Sequence, residues 1–176
     1  MRRCLAYVAA GALFLLLQST LLAFFLPPPW RPNLILILVL LLGIKEKPVP
    51  AMLTVLVIGA LQDSLGGATI GFHITTSLAV FILIRLLTEK LNVESPALLT
   101  LMLIGANFFQ GLLVGFIMMT FTDYGTVLYL LATTLPQQTL STLVVFFMMM
   151  AMFPGWILAT PKQSDKNGRL FRGELM

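Results

Sequence analysis

Charge is what this chain has least of. Of its 176 residues only 10% are Asp, Glu, Lys or Arg, while 59% are hydrophobic, and the mean hydropathy is +0.98. A water-soluble domain carries roughly a quarter charged residues. There is too little polar material here to cover a surface that faces water, so lipid is the expected solvent. Cysteine is almost absent: Cys4 stands alone, which excludes an intramolecular disulfide. Its expected place is a cytoplasmic membrane boundary, where no structural disulfide forms. No Cys/His metal spacing, P-loop or dinucleotide fingerprint occurs, so neither a metal nor a cofactor is expected. The net charge of +4 does not point to nucleic acid, because the cations lie between hydrophobic runs rather than on one soluble face.

What the chain has instead is hydrocarbon in long stretches, at residues 4–26, 32–44, 49–65, 70–87, 97–119 and 125–158. An 18-residue helix is about 27 Å long, close to the thickness of a bilayer core. The expected fold is therefore all-α, a polytopic membrane bundle of about six transmembrane helices. The first run follows Arg2 and Arg3 like a signal peptide, but further spans follow and no small-x-small cleavage site does, so it reads as a retained helix. The second run is short and sits behind "PPPWR". Pro32 is expected to open its helix at the first position, where a missing N–H costs nothing. Pro48 and Pro96 mark further starts, with Glu94 or Ser95 as cap for the latter. Pro136 falls inside the last run and predicts a kink or break, or even a re-entrant first part.

Direction follows from the basic residues. With the N-terminus inside, Arg2, Arg3, Lys45, Lys47, Arg85, Lys90, Lys162, Lys166, Arg169 and Arg172 share the inner face, and only Arg31 is outside. This is a strong positive-inside pattern and predicts both termini in the cytoplasm. The chain divides into one membrane domain, 1–160, and a polar cytoplasmic tail, 161–176. No connection is long enough to hold a soluble catalytic domain.

Polar residues inside the runs are few, and each is a candidate. "QDSLGGATIGFH" (62–73) places Asp63 near bilayer depth. Asp63 either caps a tight turn that Gly66 and Gly67 permit and Gly71 extends, or it is a carboxylate needing a partner or water. Arg31, the one cation on the same side, and His73 are the partners available. Nothing around Ser64 or Ser77 resembles a nucleophile elbow. In the fifth run, "GANFFQGLLVG" carries Gly105, Asn107, Gln110, Gly111 and Gly115. Gly111 and Gly115 share a face and suit close helix packing, in this bundle or against another protein's helix. Gln18, Gln137 and Gln138 add polarity that a solute pathway would need to converge. The methionines of "FFMMMAM" make an adaptable surface for lipid or a partner.

"RPNLILILVLLLGI" (31–44) followed by "VIGALQDSLGGATIGFH" (57–73) resembles the bacterial rod shape-determining protein family MreD. There the second span opens with a proline and a polar residue, and the third ends in G-x-x-x-D-x-x-x-G-x-x-x-G, which here is Gly59, Asp63, Gly67 and Gly71. The residue after Pro32 is usually acidic in that family and is Asn33 here. "FPGWI" near the C-terminus adds a weaker likeness. The resemblance implies a non-enzymatic scaffold of the bacterial inner membrane, in the cell-elongation machinery that controls cell shape. It implies MreC as partner, with MreB, the RodA glycosyltransferase and a class B penicillin-binding transpeptidase as neighbours. It also implies a fold resembling the substrate-binding subunits of energy-coupling-factor transporters. The rival function is therefore a small-solute, vitamin-like binding subunit.

Overall fold

The computed structural model describes residues 2–66, 71–91, 95–120 and 123–152, and these are helical almost throughout. Helix α1 (Arg2–Leu16) loosens into a π-turn over Leu17–Leu21 and resumes as α2 (Leu22–Phe25). A 3-10 turn, Pro28–Trp30, leads to α3 (Leu34–Lys45). Then come α4 (Pro48–Gly66), α5 (Phe72–Lys90), α6 (Pro96–Met118) and α7 (Tyr124–Met152). Six of the helical stretches are long and apolar enough to cross a membrane: Leu5–Phe25, Pro28–Lys45, Pro48–Leu65, Phe72–Lys90, Pro96–Met118 and Tyr124–Met152. The chain is a multi-pass membrane helix bundle.

Helix α3 is its axis. Every residue from Leu34 to Gly43 is buried, and Ile37, Leu40 and Leu42 are wholly so. A helix that is apolar all round belongs in an interior. Helices α1, α4, α5, α6 and α7 pack around it as a sequential arc, each touching the next in that order and each touching α3. The Pro28–Trp30 turn lies against α7.

Local chemistry sets the helix ends, with some differences from expectation. Pro32 does not open α3. Asn33 is the cap, its Oδ1 accepting from the Leu36 N–H at 3.0 Å, which leaves Pro32 one position outside the helix. Side-chain capping outweighs the preference of proline for the first turn, because Asn33 satisfies an otherwise orphaned donor. Pro48 and Pro96 do begin their helices, and Ser95 caps the latter through Leu98 N–H. The expected break at Pro136 is not seen: α7 runs through it without interruption. Proline removes one donor and frees the carbonyl four residues earlier, and the flanking turns carry the helix across.

Helices α6 and α7 meet through small-into-large packing. Side-chain positions at Gly111 and Gly115 are filled by Leu135 and Leu131 of α7, while nothing approaches Gly105 within 4 Å. Gly111→Ala should therefore destabilise the bundle by about 1–2 kcal/mol through overpacking. The Gly111→Ala/Leu135→Ala pair should recover part of that loss, and Gly105→Ala should be neutral or better. Denaturing-detergent titration of the purified variants measures all three.

Candidate functional site

Two clusters of polar residues link helices within the spans. The first is built by a close approach. A Cβ added at Gly59 would lie 2.8 Å from the Ile74 Cα and 3.2 Å from its N, so α4 and α5 touch backbone to backbone. One helical turn further on, Asp63 is thereby brought against the open N-terminus of α5. Its Oδ2 accepts from the Gly71 N–H at 2.8 Å and more weakly from Ile74 at 3.4 Å, while Oδ1 accepts from His73 at 2.8 Å. Asp63 is only 5% exposed. Burying a carboxylate is costly unless hydrogen bonds and opposing charge compensate. Here N–H groups at a helix start, with the positive end of its dipole, supply both. Gly71 takes the cap position at φ +98°, in the left-handed region, with open space where a side chain would stand. The demand for glycine there is conformational rather than steric.

Asp63 thus caps α5 from the neighbouring helix. Arg31 does not reach it. The guanidinium instead donates to the carbonyls of Leu26 at 3.2 Å and Ala23 at 3.3 Å, closing the end of the first span. The expected Arg31–Asp63 pair is replaced by two separate helix-end contacts, because the backbone N–H groups saturate the carboxylate locally. His73 contributes its backbone N–H, and its ring stands edge-to-face with Phe72 at 5.0 Å between centroids. Gly67 lies outside the described residues, as do "FPGWI" and the polar tail.

The second cluster ties α3 to α6 and α7. Asn33, already the α3 cap, donates from Nδ2 to Gln110 Oε1 at 2.9 Å, and its backbone N–H donates to Thr142 Oγ1 at 3.0 Å. Asn107 Nδ2 donates to Thr139 Oγ1 at 2.7 Å. Both threonine hydroxyls donate back to their own helix, Thr142 to Gln138 and Thr139 to Leu135. Asn33, Asn107, Thr139 and Thr142 are all buried. Interhelical amide and hydroxyl bonds of this kind fix rotation and register where hydrophobic contact alone is permissive. The structure therefore brings Gly59, Asp63, Gly71 and His73 together in one place, and Asn33, Asn107 and Gln110 in another. Gly105 and Arg31 belong to neither cluster.

Comparison with protein-family models, curated proteins and solved structures returns no match. The two clusters must be interpreted on their own chemistry. Among the described residues no group of three or more His, Cys, Asp or Glu could hold a metal ion. A crevice between α3, α5 and α6 is lined by Ile35, Leu36, Val39, Ser77, Val80 and Gln110 and encloses no more than about 170 Å³. Pockets for small molecules usually offer about 300 Å³ or more.

Three structural side chains escaped the sequence reading. Arg85 on α5 donates from Nη1 to the carbonyls of Gly43 and Glu46 at 3.0 and 3.1 Å, capping the far end of α3, and its Nε lies 3.4 Å from Glu89 Oε1. In the sequence it was one more inner-face cation. Its position three residues inside the last apolar turn, opposite "GIKEK", was the available signal. Thr139 and Thr142, three apart on a run of leucine and valine, were the corresponding signal for the second cluster.

Proposed function

We propose that this protein is a non-enzymatic scaffold of the MreD type in the bacterial inner membrane, with both termini in the cytoplasm. It would hold MreC and, through it, the peptidoglycan synthase pair of RodA and a class B transpeptidase in register with MreB filaments. The observation that carries this reading is the saturation of Asp63. A carboxylate that accepts from Gly71, His73 and Ile74 is a fastener rather than a reagent. The same stretch, Gly59 to His73, carries the family resemblance, and its Gly59, Asp63, Gly71 and His73 converge where α4 meets the start of α5. Such a joint suits the presentation of a fixed surface to a partner outside the membrane. Asn33, where the family usually has an acid, serves as a neutral cap and crosslinks α3 to α6 and α7, which fits a register role in place of a charged one.

The vitamin-binding alternative receives less support. The amides of Asn33, Gln110 and Asn107 are engaged within the bundle, and the crevice beside Gln110 is small for a vitamin. Purification from native membranes in a mild detergent, with mass spectrometry of everything retained, tests the choice. Recovery of MreC with the wall synthase is the expected result. A stoichiometric small ligand in their place would overturn scaffolding in favour of solute binding.

A further inference from the structure

The first span, Leu5–Phe25, is the least covered of the six, with 11% of its window inside the bundle against 67% for Pro28–Lys45. It packs on α3 and α4, and midway along it the helix loosens into the π-turn over Leu17–Leu21. A π-turn bends the helix that carries it, and such turns concentrate at functional positions. Gln18, Ser19 and Thr20 all fall on it. The two hydroxyls are satisfied within the helix, both donating to the Leu16 carbonyl. Gln18 is not: its Oε1 is buried and accepts no hydrogen bond. Gln62 on α4 is in the same condition. Among the described residues these are the only two buried side-chain oxygens left without a donor.

Helix geometry places the two glutamines on one contact. Helices α1 and α4 run in the same direction, with α3 returning between them. Gly11 abuts Ile58 where they touch, which marks the facing sides of both helices. Seven residues beyond Gly11, and four beyond Ile58, the helical period returns to those sides. The positions reached are Gln18 and Gln62. They lie about 10 Å and about 6 Å past the contact, an offset in depth that two glutamine side chains can bridge. A half-turn of an amide about its last bond exchanges oxygen for NH2 and leaves its shape unchanged. Each amide carries a donor and an acceptor, so each can satisfy the other. Lipid tails offer no donor in their place.

We infer that Gln18 and Gln62 form a clasp of paired amides that latches the first span to α4, with the π-turn as the point at which the span gives way when the clasp opens. In lipid, apolar contact alone holds two helices weakly, because the tails are as apolar as the side chains. A span with so little of its surface inside the bundle depends on its polar link more than its neighbours do. Asn33, Asn107 and their partners fasten α3, α6 and α7 by the same chemistry, but those bonds lie among well-covered helices. The clasp instead sits on the edge of the arc, where one helix can leave without dismantling the rest. The first span is thereby a strap, closed by two amides and free to open locally.

Hydrogen exchange of the full chain in a mild detergent, read by mass spectrometry, tests this. Gln18→Leu should accelerate exchange in the peptides of the first span about fivefold and leave those of α6 and α7 unchanged. Gln62→Leu should do the same, and Gln18→Leu/Gln62→Leu should add nothing further, because either change alone opens the clasp. Independent, multiplying effects of the two changes would overturn the pairing. Equal acceleration in every helix would overturn the strap, since the glutamines would then serve only general stability. Should a leucine variant fail to fold, a cysteine pair decides in a Cys4→Ser background that removes the native thiol. Gln18→Cys/Gln62→Cys should oxidise to an intramolecular disulfide at least tenfold faster than Gln18→Cys/Ala60→Cys, whose second position is on the exposed side of α4. Equal rates for the two pairs would show that the glutamines do not face each other.

Discussion

Asp63→Ala is expected to cost about 3 kcal/mol of stability in a denaturing-detergent titration, among the largest losses from any single side-chain truncation in the bundle. Ordinary loss of a helix cap costs about 1 kcal/mol and seldom exceeds 2. Here the acceptor is charged and buried, and its removal strands the N–H groups of Gly71 and His73 away from water. Asp63→Asn keeps one carbonyl oxygen and should lose roughly half as much. Arg31→Ala should act independently of both, because Arg31 closes the end of the first span on the Leu26 and Ala23 carbonyls. Exchanging the two charges, with Arg31→Asp and Asp63→Arg together, should rescue nothing. A double-mutant cycle with a coupling near zero is the measurement. Strong coupling would show that the carboxylate reaches the guanidinium after all.

Gly59→Val should be comparably severe, for a steric reason. The first added carbon lands 2.8 Å from the Ile74 Cα, which no rotamer change can move. Accommodation requires α4 and α5 to separate, and separation withdraws the α5 N-terminus from Asp63. A backbone shift forced by overpacking costs about 1–3 kcal/mol, and the weakened cap adds to it. Gly59→Ala should already show most of the effect. By contrast, Gly11→Ala meets side chains of Ile58 and Leu38, and Gly43→Ala those of Ile84 and Phe81, rather than backbone, and both should cost less. Combining Gly59→Val with Asp63→Ala should cost clearly less than the sum of the two, because each breaks the same joint. Additivity would place the two residues in separate structures.

The spans were legible because each is a continuous apolar run, a signal that survives without knowledge of neighbours. Ser95 and Asp63 were legible as caps because capping is local chemistry with a short list of suitable residues. The partners of Asn33 were not. Gln110 and Thr142 lie 77 and 109 residues away in sequence, and only the arc of helices around α3 brings them close. Arg31 misled for a related reason: opposite charges on one side of a membrane invite pairing, yet each found backbone groups nearer at hand. Of the kink or break expected at Pro136, the break does not occur: proline propensity is a local penalty, and α7 continues through it while packed against α6 and α3.

The enclosure of α3 bears on how the protein is made. Its 12 residues reach about 18 Å, little more than half the hydrocarbon thickness. The crossing therefore draws on the whole Pro28–Lys45 stretch, and α3 itself has no face meant for lipid once in place. Biogenesis must therefore deliver it in company, held with α1 or paired with α4 before it leaves the insertion machinery. Expressing residues 1–46 and 47–176 as separate chains should accordingly strand the spine of the bundle, whereas a cut between α5 and α6 should leave two halves able to find each other.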